Sequence, residues 1–387
     1  MARKYGSEVL LTPGPVEVPQ RVLEASARPL IHYASKRLFD KVKFITEGMK
    51  AMFGTSGDVL LISGSGRTGL EATVCSLFSP GEEVLCLSNG RFGLMYAGIF
   101  EKYGIAVTRV AQDWTKDYDP AEVVEALKAN PKIKAISAPF CETSTGVLND
   151  LVTLGKIARE HGKLLLVDAV SSAGGVDFRF DEWGVDAVVT GSQKGIMSPP
   201  GLSFVALSDR AWKAAETATL PCSYLDLRAM KRALWADFPG MPGTPPITLV
   251  LAVAEAISML LEEGLPEVYR RYEKMAAAVR AGFVAAGLKL FPENVKRRSP
   301  TVTVVESPAG HEARELVNVM TGEFGLIPAT GLGSYSKSVL RFGTMGAFYQ
   351  KEAINMVATV EAALVKMGIN KEAGAGVRAC VASLFSE

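Results

Sequence analysis

The chain has 387 residues, which exceeds the usual length of one domain, so two domains are expected. Its 42 basic residues nearly balance 41 acidic ones, without the basic excess that is typical of nucleic-acid-binding surfaces. The most apolar long segment, residues 248–261, contains Glu255 and is too short for a membrane span, so neither nucleic acid nor a membrane is expected as a partner.

The five cysteines are scattered along the chain and odd in number. They show neither the paired spacing that binds metals nor a dense disulfide framework, so no metal site is expected. The residues before Pro13 lack the apolar run of a secretory signal. These features predict a cytoplasmic protein, because thiols stay reduced in that compartment.

Between residues 55 and 207, short apolar runs alternate with helical stretches. Strands are predicted at 59–63, 84–88, 133–139, 163–168, 187–191 and 202–207, and helices at 69–78, 94–103 and 151–161. Apolar strands that alternate with helices predict an α/β fold, in which helices cover both faces of a mostly parallel sheet.

The pattern changes after about residue 265 and predicts a smaller α+β domain. Helices are predicted at 266–286, 313–324 and 350–366, and strands at 288–291, 301–306 and 339–342. The expected division is an N-terminal segment (1–20), a large domain (21–265), a small domain (266–369) and a C-terminal extension (370–387). The extension is rich in Ala and Gly, which is typical of a tail.

A glycine loop, Gly64-Ser-Gly66-Arg-Thr-Gly69, follows the first strand and matches a dinucleotide-binding pattern. That pattern also needs a carboxylate at the end of the next strand, where it holds a ribose hydroxyl. Here Glu82 and Glu83 lie at the start of that strand, and Cys86-Leu-Ser-Asn89 at its end has no acid. The loop therefore fits an anion at a helix N-terminus, and an NAD-binding oxidoreductase is kept as an alternative from another enzyme class.

Five features follow strands at their carboxyl ends, where open α/β sheets bind ligands. They are the loop Ser65-Gly66-Arg67, Phe92, Asp168, Lys194 and, in the second domain, Arg341. Pyridoxal 5′-phosphate (PLP) chemistry needs an amine that binds the cofactor covalently, a carboxylate for its pyridine nitrogen, a helix N-terminus for its phosphate and an arginine for the substrate carboxylate. The set predicts a PLP enzyme in which Lys194 carries the cofactor.

Each of these residues alone has an ordinary structural explanation. An aspartate at a strand end commonly caps a helix, and a loop lysine is usually a solvated surface charge. A phenylalanine is more often part of the core, and an arginine between apolar neighbours also fits a structural ion pair. The order and spacing of the whole set favour the cofactor site.

Several longer stretches match one enzyme family nearly from end to end, between about residues 10 and 369. They are Thr12-Pro-Gly-Pro15, Ile62-Ser-Gly-Ser-Gly66, Glu142-Thr-Ser-Thr-Gly-Val147, Val167-Asp-Ala-Val-Ser-Ser172, Gly191-Ser-Gln-Lys194, Pro199-Pro-Gly201, Ser223-Tyr-Leu-Asp226 and Val339-Leu-Arg-Phe-Gly343. The sequence resembles the class V aminotransferases of PLP fold type I, most of all the alanine–glyoxylate and serine–pyruvate aminotransferases. The resemblance implies a seven-stranded, mostly parallel sheet in the large domain, and a homodimer whose active site lies between the subunits.

The resemblance also implies a role for individual residues. Lys194 matches the lysine that binds the cofactor and Asp168 the partner of the pyridine nitrogen, while Arg341 matches the arginine that binds the substrate carboxylate. Ser65, Gly66, Arg67 and Gln193 match phosphate contacts, Phe92 matches the ring-stacking position, and Thr143 matches a hydroxyl residue that reaches the 3′-oxygen of the ring. Thr244 matches a threonine that reaches the cofactor phosphate of the partner subunit.

Two positions depart from the family pattern. The stacking residue is often Trp in the relatives but is Phe92 here, which keeps an aromatic face of smaller area. Three residues before Thr244 the family can place a Tyr that touches the phosphate, whereas Met241 cannot donate a hydrogen bond. We expect the reaction type to be unchanged and the cofactor affinity to be lower, unless Arg67 replaces the lost contact.

The expected reaction is a transamination between a small amino acid, alanine or serine, and glyoxylate or pyruvate. One arginine suffices for a monocarboxylic substrate, whereas aspartate, phosphoserine or a phosphonate wants a second cation. Arg37 is a candidate for that cation, although a surface role is favoured. A cysteine desulfurase is a same-fold alternative that lacks an obvious catalytic cysteine here, and a non-catalytic protein on this scaffold would need neither Lys194 nor Asp168.

Overall fold

The computed structural model describes residues 8–234 and 243–386. The strands are β1 (Val9–Leu10), β2 (Val59–Ser63), β3 (Glu83–Leu87), β4 (Ala106–Val110), β5 (Ile133–Pro139), β6 (Cys141–Glu142), β7 (Val147–Leu148), β8 (Leu164–Asp168), β9 (Ala187–Gly191), β10 (Leu202–Leu207), β11 (Val302–Glu306), β12 (Leu326–Ile327), β13 (Ala329–Thr330) and β14 (Val339–Gly343).

The helices alternate with these strands in the first half of the chain and dominate the second half. They are α1 (Gln20–Ser26), α2 (Lys36–Phe53), α3 (Gly66–Leu77), α4 (Arg91–Lys102), α5 (Pro120–Ala129), α6 (Leu151–Glu160), α7 (Phe180–Trp183), α8 (Asp209–Thr217), α9 (Leu227–Leu234), α10 (Ile247–Glu263), α11 (Leu265–Ala285), α12 (Ala313–Phe324), α13 (Gln350–Lys366) and α14 (Ala375–Phe385). In the part of the chain that the structure describes, no helix has both the length and the apolar character that a membrane crossing requires.

The large sheet has seven strands in the order β2-β10-β9-β8-β5-β3-β4. Strand β10 runs antiparallel to both of its neighbours, and the other pairings are parallel, which confirms the predicted α/β fold with a mostly parallel sheet. The edge strand β4 and the helix α5 after it were not predicted.

Alternate residues of each strand face two separate hydrophobic cores. In β8, Leu165 and Val167 belong to one core, while Leu164 and Leu166 belong to the other. Because side chains alternate between the two faces of a strand, a strand that is apolar at every position indicates a sheet covered on both faces. Burying a leucine or valine side chain contributes about 1.5–3 kcal/mol, so this central strand holds the two helical layers together.

The second half of the chain forms a three-stranded sheet in the order β11-β14-β13, with a hydrophobic core of its own. The N-terminal strand β1 pairs with β12, so the start of the chain is attached to this half. The predicted strand at 288–291 is wrong, because Leu290 makes only an isolated bridge to Val305. Gly287, with φ of 90°, and Pro292 leave too short a run between them for a regular strand.

The predicted C-terminal tail contains a helix, α14, that packs on α11 and α13. The buried Glu361 carboxylate of α13 accepts hydrogen bonds from the backbone N–H groups of Gly374 (3.1 Å), Gly376 (2.6 Å) and Val377 (3.0 Å) at the start of this helix. A Cβ atom at Gly376 would lie 2.6 Å from the carbonyl oxygen of Gly282, so α14 and α11 can approach this closely only because glycines lie at their contact.

Glu361→Ala is expected to lower the free energy of unfolding by about 2–4 kcal/mol, because three buried or partly buried N–H groups lose their acceptor at once. The measurement is urea unfolding followed by circular dichroism. Glu372→Ala is the matched control, since Glu372 is exposed and lies in the same connection. Equal unfolding midpoints for the two variants would contradict an anchoring role for Glu361.

Candidate active site

A cavity of about 350 Å³ opens where the parallel strands of the large sheet end. Its lining includes eight residues that the sequence predicts for the site, namely Ser65, Gly66, Arg67, Phe92, Thr143, Asp168, Gln193 and Lys194. They follow or end strands β2, β3, β6, β8 and β9, so the fold brings together residues that are far apart in sequence. The volume suits a small organic ligand.

One end of the cavity is formed by the N-terminus of α3, which begins at Gly66. The side chain of Ser65 makes no capping hydrogen bond, and the N–H groups of Gly66 and Arg67 have no partner within the described residues. A Cβ atom at Gly66 would lie 2.5 Å from Val170 Cγ2, so only glycine fits here. Free N–H groups at the positive end of a helix form an anion site.

Two more side chains complete this anion site. Arg67 is exposed and contacts Met95 Sδ at 3.0 Å, with no carboxylate within ion-pair distance among the described residues. Gln193 has a buried side-chain oxygen without a hydrogen-bond partner in the same part of the chain. Buried polar atoms are normally paired, so the unpaired Gln193 oxygen indicates a place where a ligand or a water donates a hydrogen bond, and only the NH2 group of this amide can donate to an anion.

Asp168 ends β8 and is almost completely buried. Its Oδ1 accepts a hydrogen bond from the N–H of Val170 (2.9 Å), and no other hydrogen bond to this carboxylate is present among the described residues. Burial raises the pKa of Asp168 to about 7, with Glu142 adding to the shift and the Val170 N–H and Lys194 opposing it. A carboxyl group in this setting is stabilised in its charged form only when a cation binds beside it.

Lys194 lies just after β9 and is also buried. Burial and the nearby Arg341 guanidinium together lower the pKa of its amine to about 8, while Cys141 and Asp168 act in the opposite direction. The ordinary structural explanation of Lys194, a solvated surface charge, is therefore wrong. An amine with a pKa near neutrality is a usable nucleophile and base.

Gly14 makes room for this lysine. A Cβ atom at position 14 would lie 2.3 Å from Lys194 Cδ, and the φ of 103° at Gly14 is rarely adopted by other residues. The amine of Lys194 contacts the carbonyl oxygen of Pro13 in the same segment. Gly14 belongs to the family-like stretch Thr12-Pro-Gly-Pro15 but is not among the residues that the sequence predicts for the site.

The opposite wall carries aromatic and hydroxyl side chains. Phe92 is half-buried in the first turn of α4. Thr143 Oγ1 lies 2.5 Å from Ser171 Oγ, so these two hydroxyls share a hydrogen bond at the cavity wall. Ser171 was not among the predicted site residues, although it lies in the quoted stretch around Asp168.

Arg341 belongs to β14 and does not line the cavity itself. It is buried, with Nε 2.9 Å from the Thr330 carbonyl oxygen and Nη1 3.4 Å from the Thr143 carbonyl oxygen. Burial lowers its pKa to about 10, and Glu142 opposes that shift. No described carboxylate lies within ion-pair distance of Arg341, so the structural ion pair considered above is not formed, and its remaining N–H groups have no partner among the described residues.

Thr244 and Arg37 lie away from the cavity, and a third position discussed above is not described. Thr244 is exposed and is not among the residues of the cavity wall. Met241 lies outside the described residues. Arg37 lines a separate groove of about 520 Å³ together with Arg28, Lys41 and neighbouring apolar residues. None of the five cysteines lines the cavity.

Comparison with known proteins points to one enzyme family. The model of the family described as aminotransferase class V matches residues 11–345. The "soluble hydrogenase 42 kDa subunit" of Anabaena cylindrica is 36% identical over 98% of both chains. The L-aspartate–glyoxylate aminotransferase of Paracoccus denitrificans is 34% identical, over 96% of this chain and 94% of that protein.

A solved structure gives the same assignment. The ureidoglycine–glyoxylate aminotransferase of Bacillus subtilis superposes with a TM-score of 0.93 over 99% of both chains at 29% identity. The similarity therefore extends over nearly the whole chain, including the C-terminal helix α14.

Proposed function

This chain belongs to the class V aminotransferase family, and we propose that it binds PLP in the cavity and transfers the amino group of alanine or serine to glyoxylate or pyruvate. The observation that carries the proposal is the pair formed by Asp168 and Lys194. Both are buried in one cavity, and the described structure offers neither of them an ion-pair partner. A buried charge without a partner is costly, so a ligand with complementary groups accounts for both.

The unpaired groups of the cavity fit PLP. The free N–H groups of α3, the Gln193 side chain and Arg67 would hold the phosphate, and Asp168 would hold the pyridine nitrogen. Phe92 would cover one face of the ring, while Thr143 would reach the ring oxygen. When bound, PLP supplies an electron-accepting ring that stabilises negative charge at the substrate Cα.

The protein's own residues would carry out the remaining work. Lys194 would hold the cofactor and, after release by the substrate amine, its Nζ would move the proton at the substrate Cα. Asp168 would keep a positive charge on the ring nitrogen. Arg341 would bind the substrate carboxylate with the donors that its contacts to Thr330 and Thr143 leave free, and so orient the Cα–H bond toward Lys194.

The distribution of cations supports a small monocarboxylic donor. Besides Lys194, one cation lines the cavity among the described residues, namely Arg67, which would serve the phosphate. Arg341 is then the residue left for a single substrate carboxylate. Glyoxylate is supported as the acceptor because it appears in the names of two similar aminotransferases, and the name of one of them makes aspartate the principal alternative donor.

The assembly and the location are proposals as well. An exposed Thr244 next to α10 agrees with a homodimer in which this residue reaches the phosphate in the partner subunit. The five cysteines are all free, which supports the cytoplasm as the location.

The test is a panel of amino donors with glyoxylate and pyruvate, followed by the absorbance change of the cofactor. Alanine or serine should react with the highest kcat/KM. Arg341→Ala should lower that kcat/KM roughly 10²-fold, since each hydrogen bond between charged groups contributes about 1.5–3 kcal/mol. Arg37→Ala is the matched control and should behave like the parent. A faster reaction with aspartate or phosphoserine would overturn the small-donor assignment.

A further inference from the structure

Glu142 is a completely buried acid next to the cavity that the proposed reaction does not use. It forms the end of strand β6 and directly precedes Thr143. Acidic side chains are almost never fully buried unless they are paired or hydrogen-bonded. No described cation forms an ion pair with Glu142, so its partners must be found among neutral groups.

Both oxygens of the carboxylate accept two hydrogen bonds. Glu142 Oε2 accepts from the backbone N–H groups of Phe92 (3.0 Å) and Gly93 (2.9 Å), in the first turn of α4. Glu142 Oε1 accepts from the N–H (3.0 Å) and the hydroxyl (2.6 Å) of Ser144. The Ser144 hydroxyl oxygen in turn accepts from the N–H of Arg91 (2.9 Å).

The first three N–H groups of α4 are therefore held by Glu142 and Ser144. These groups have no partner within their own helix, and they lie at the positive end of its dipole. The chain leaves space for the acid, because a Cβ atom at Gly90 would lie 2.2 Å from Glu142 Cδ. The backbone of Phe92 is thereby fixed at the point where its ring enters the cavity.

The hydrogen bonds between Glu142 and Ser144 also hold the segment that carries Thr143. Thr143 stands between Glu142 and Ser144 and lines the cavity, and its carbonyl oxygen accepts a hydrogen bond from Arg341 Nη1 (3.4 Å). Burial raises the pKa of Glu142, while the hydrogen bonds from Ser144, Gly93 and Phe92 oppose that shift. A neutral hydrogen-bond acceptor at the N-cap position, Gly90, would pair the first N–H groups of α4 without burying a carboxyl group. Helix capping alone therefore does not account for Glu142.

We propose that Glu142 is a positioning residue, whose carboxylate clamps the start of α4 to the Thr143 loop and so holds the Phe92 ring against the cofactor. The proposal rests on the PLP site proposed above. Aromatic rings stack favourably only in certain relative orientations, so the position of the Phe92 ring affects cofactor affinity.

The experiment measures the dissociation constant of PLP by absorbance titration of the cofactor-free full-length protein. Glu142→Gln replaces one accepting oxygen by an amide group, and the affinity for PLP should fall by roughly 10-fold, a loss no larger than that of Phe92→Ala because Glu142 acts through that ring. In a Phe92→Ala background the same substitution should change affinity by no more than about twofold, because the residue through which it acts is gone.

Ser144→Ala provides a second, milder variant in case Glu142→Gln folds poorly. It removes the bond to Arg91 and should weaken PLP binding to a smaller extent, again only when Phe92 is present. Asp119→Asn is the matched control, since it alters the N-cap of α5 away from the cavity, and it should leave PLP affinity unchanged.

The outcomes separate this role from the proposed function. If the parent binds PLP and the clamp variants bind it equally well, the positioning role is wrong and the cofactor site stands. Equal losses with and without Phe92 would also overturn it, because they would assign Glu142 to the general stability of the site. A parent that fails to bind PLP would overturn the cofactor site, and this inference with it.

Discussion

Lys194→Ala is expected to abolish turnover, with a loss of kcat of at least roughly 10²–10⁴-fold, the range that general acid–base catalysis alone contributes. The loss should exceed that of any other single substitution at the site, because Lys194 has two tasks. Its Nζ would hold the cofactor covalently, and after release it would move the proton at the substrate Cα. The buried position and the pKa of about 8 leave this amine reactive near neutral pH.

Two measurements distinguish these tasks. Borohydride reduction followed by peptide mass spectrometry should find the cofactor on the Lys194 peptide of the parent and on no peptide of the variant. A small primary amine added to Lys194→Ala should restore part of the turnover by replacing the missing base. Lys213→Ala, at an exposed position of α8, is the control and should retain full activity. Turnover in Lys194→Ala without added amine would contradict the assignment.

The fold and most of the cavity could be predicted because the same physical pattern specifies both. Apolar strands such as 163–168 and 187–191 indicate a buried parallel sheet, and such sheets place the residues at their carboxyl ends along one edge. Asp168 and Lys194 were predicted together for this reason. The wall around Thr143 followed from resemblance to a family, since a threonine in a loop carries no signal of its own.

Other features depend on tertiary contacts that local sequence does not specify. Glu142 binds backbone N–H groups about 50 residues away, and every residue except proline carries such a group. The helix α14 depends on Glu361 and on a contact between two glycines, so its composition alone resembles a tail. The edge strand β4 is half-exposed and carries Arg109, so it lacks the continuous apolar run that is typical of the central strands.

Asp168→Asn should lower kcat/KM by roughly 10²–10⁴-fold, because breaking a buried ion pair by removing one partner costs about 3–5 kcal/mol. The amide keeps the shape and the bond to Val170 N–H, but it cannot balance a positive charge on the ring nitrogen. Asp186→Asn is a matched control. Asp186 is also buried, but it precedes β9 at the other end of the strands and bonds Leu165 and Ser208. The control should lose stability and keep its kcat/KM.

The same substitution should have the opposite effect on the stability of the cofactor-free protein. In the folded chain the pKa of Asp168 is about 7, above the ordinary value of 3.8. The folded state therefore favours the protonated carboxyl of Asp168, and this contribution to stability is complete below pH 3.8. It is lost as the pH rises through 7, because the parent must then bury an unpaired negative charge. At pH 8 cofactor-free Asp168→Asn should be more stable than the parent by at most about 4 kcal/mol, and the difference should shrink toward zero near pH 4.

Saturating PLP should reverse the order at pH 8, since the parent's carboxylate then gains its partner and stability rises with ligand affinity. Thermal unfolding at pH 5 and pH 8, with and without PLP, measures all of these differences. A variant that is no more stable than the parent at pH 8 without PLP would show that Asp168 is already satisfied by the protein. The carboxylate would then not need a cation from the cofactor, and the main argument for placing the ring nitrogen beside Asp168 would fail.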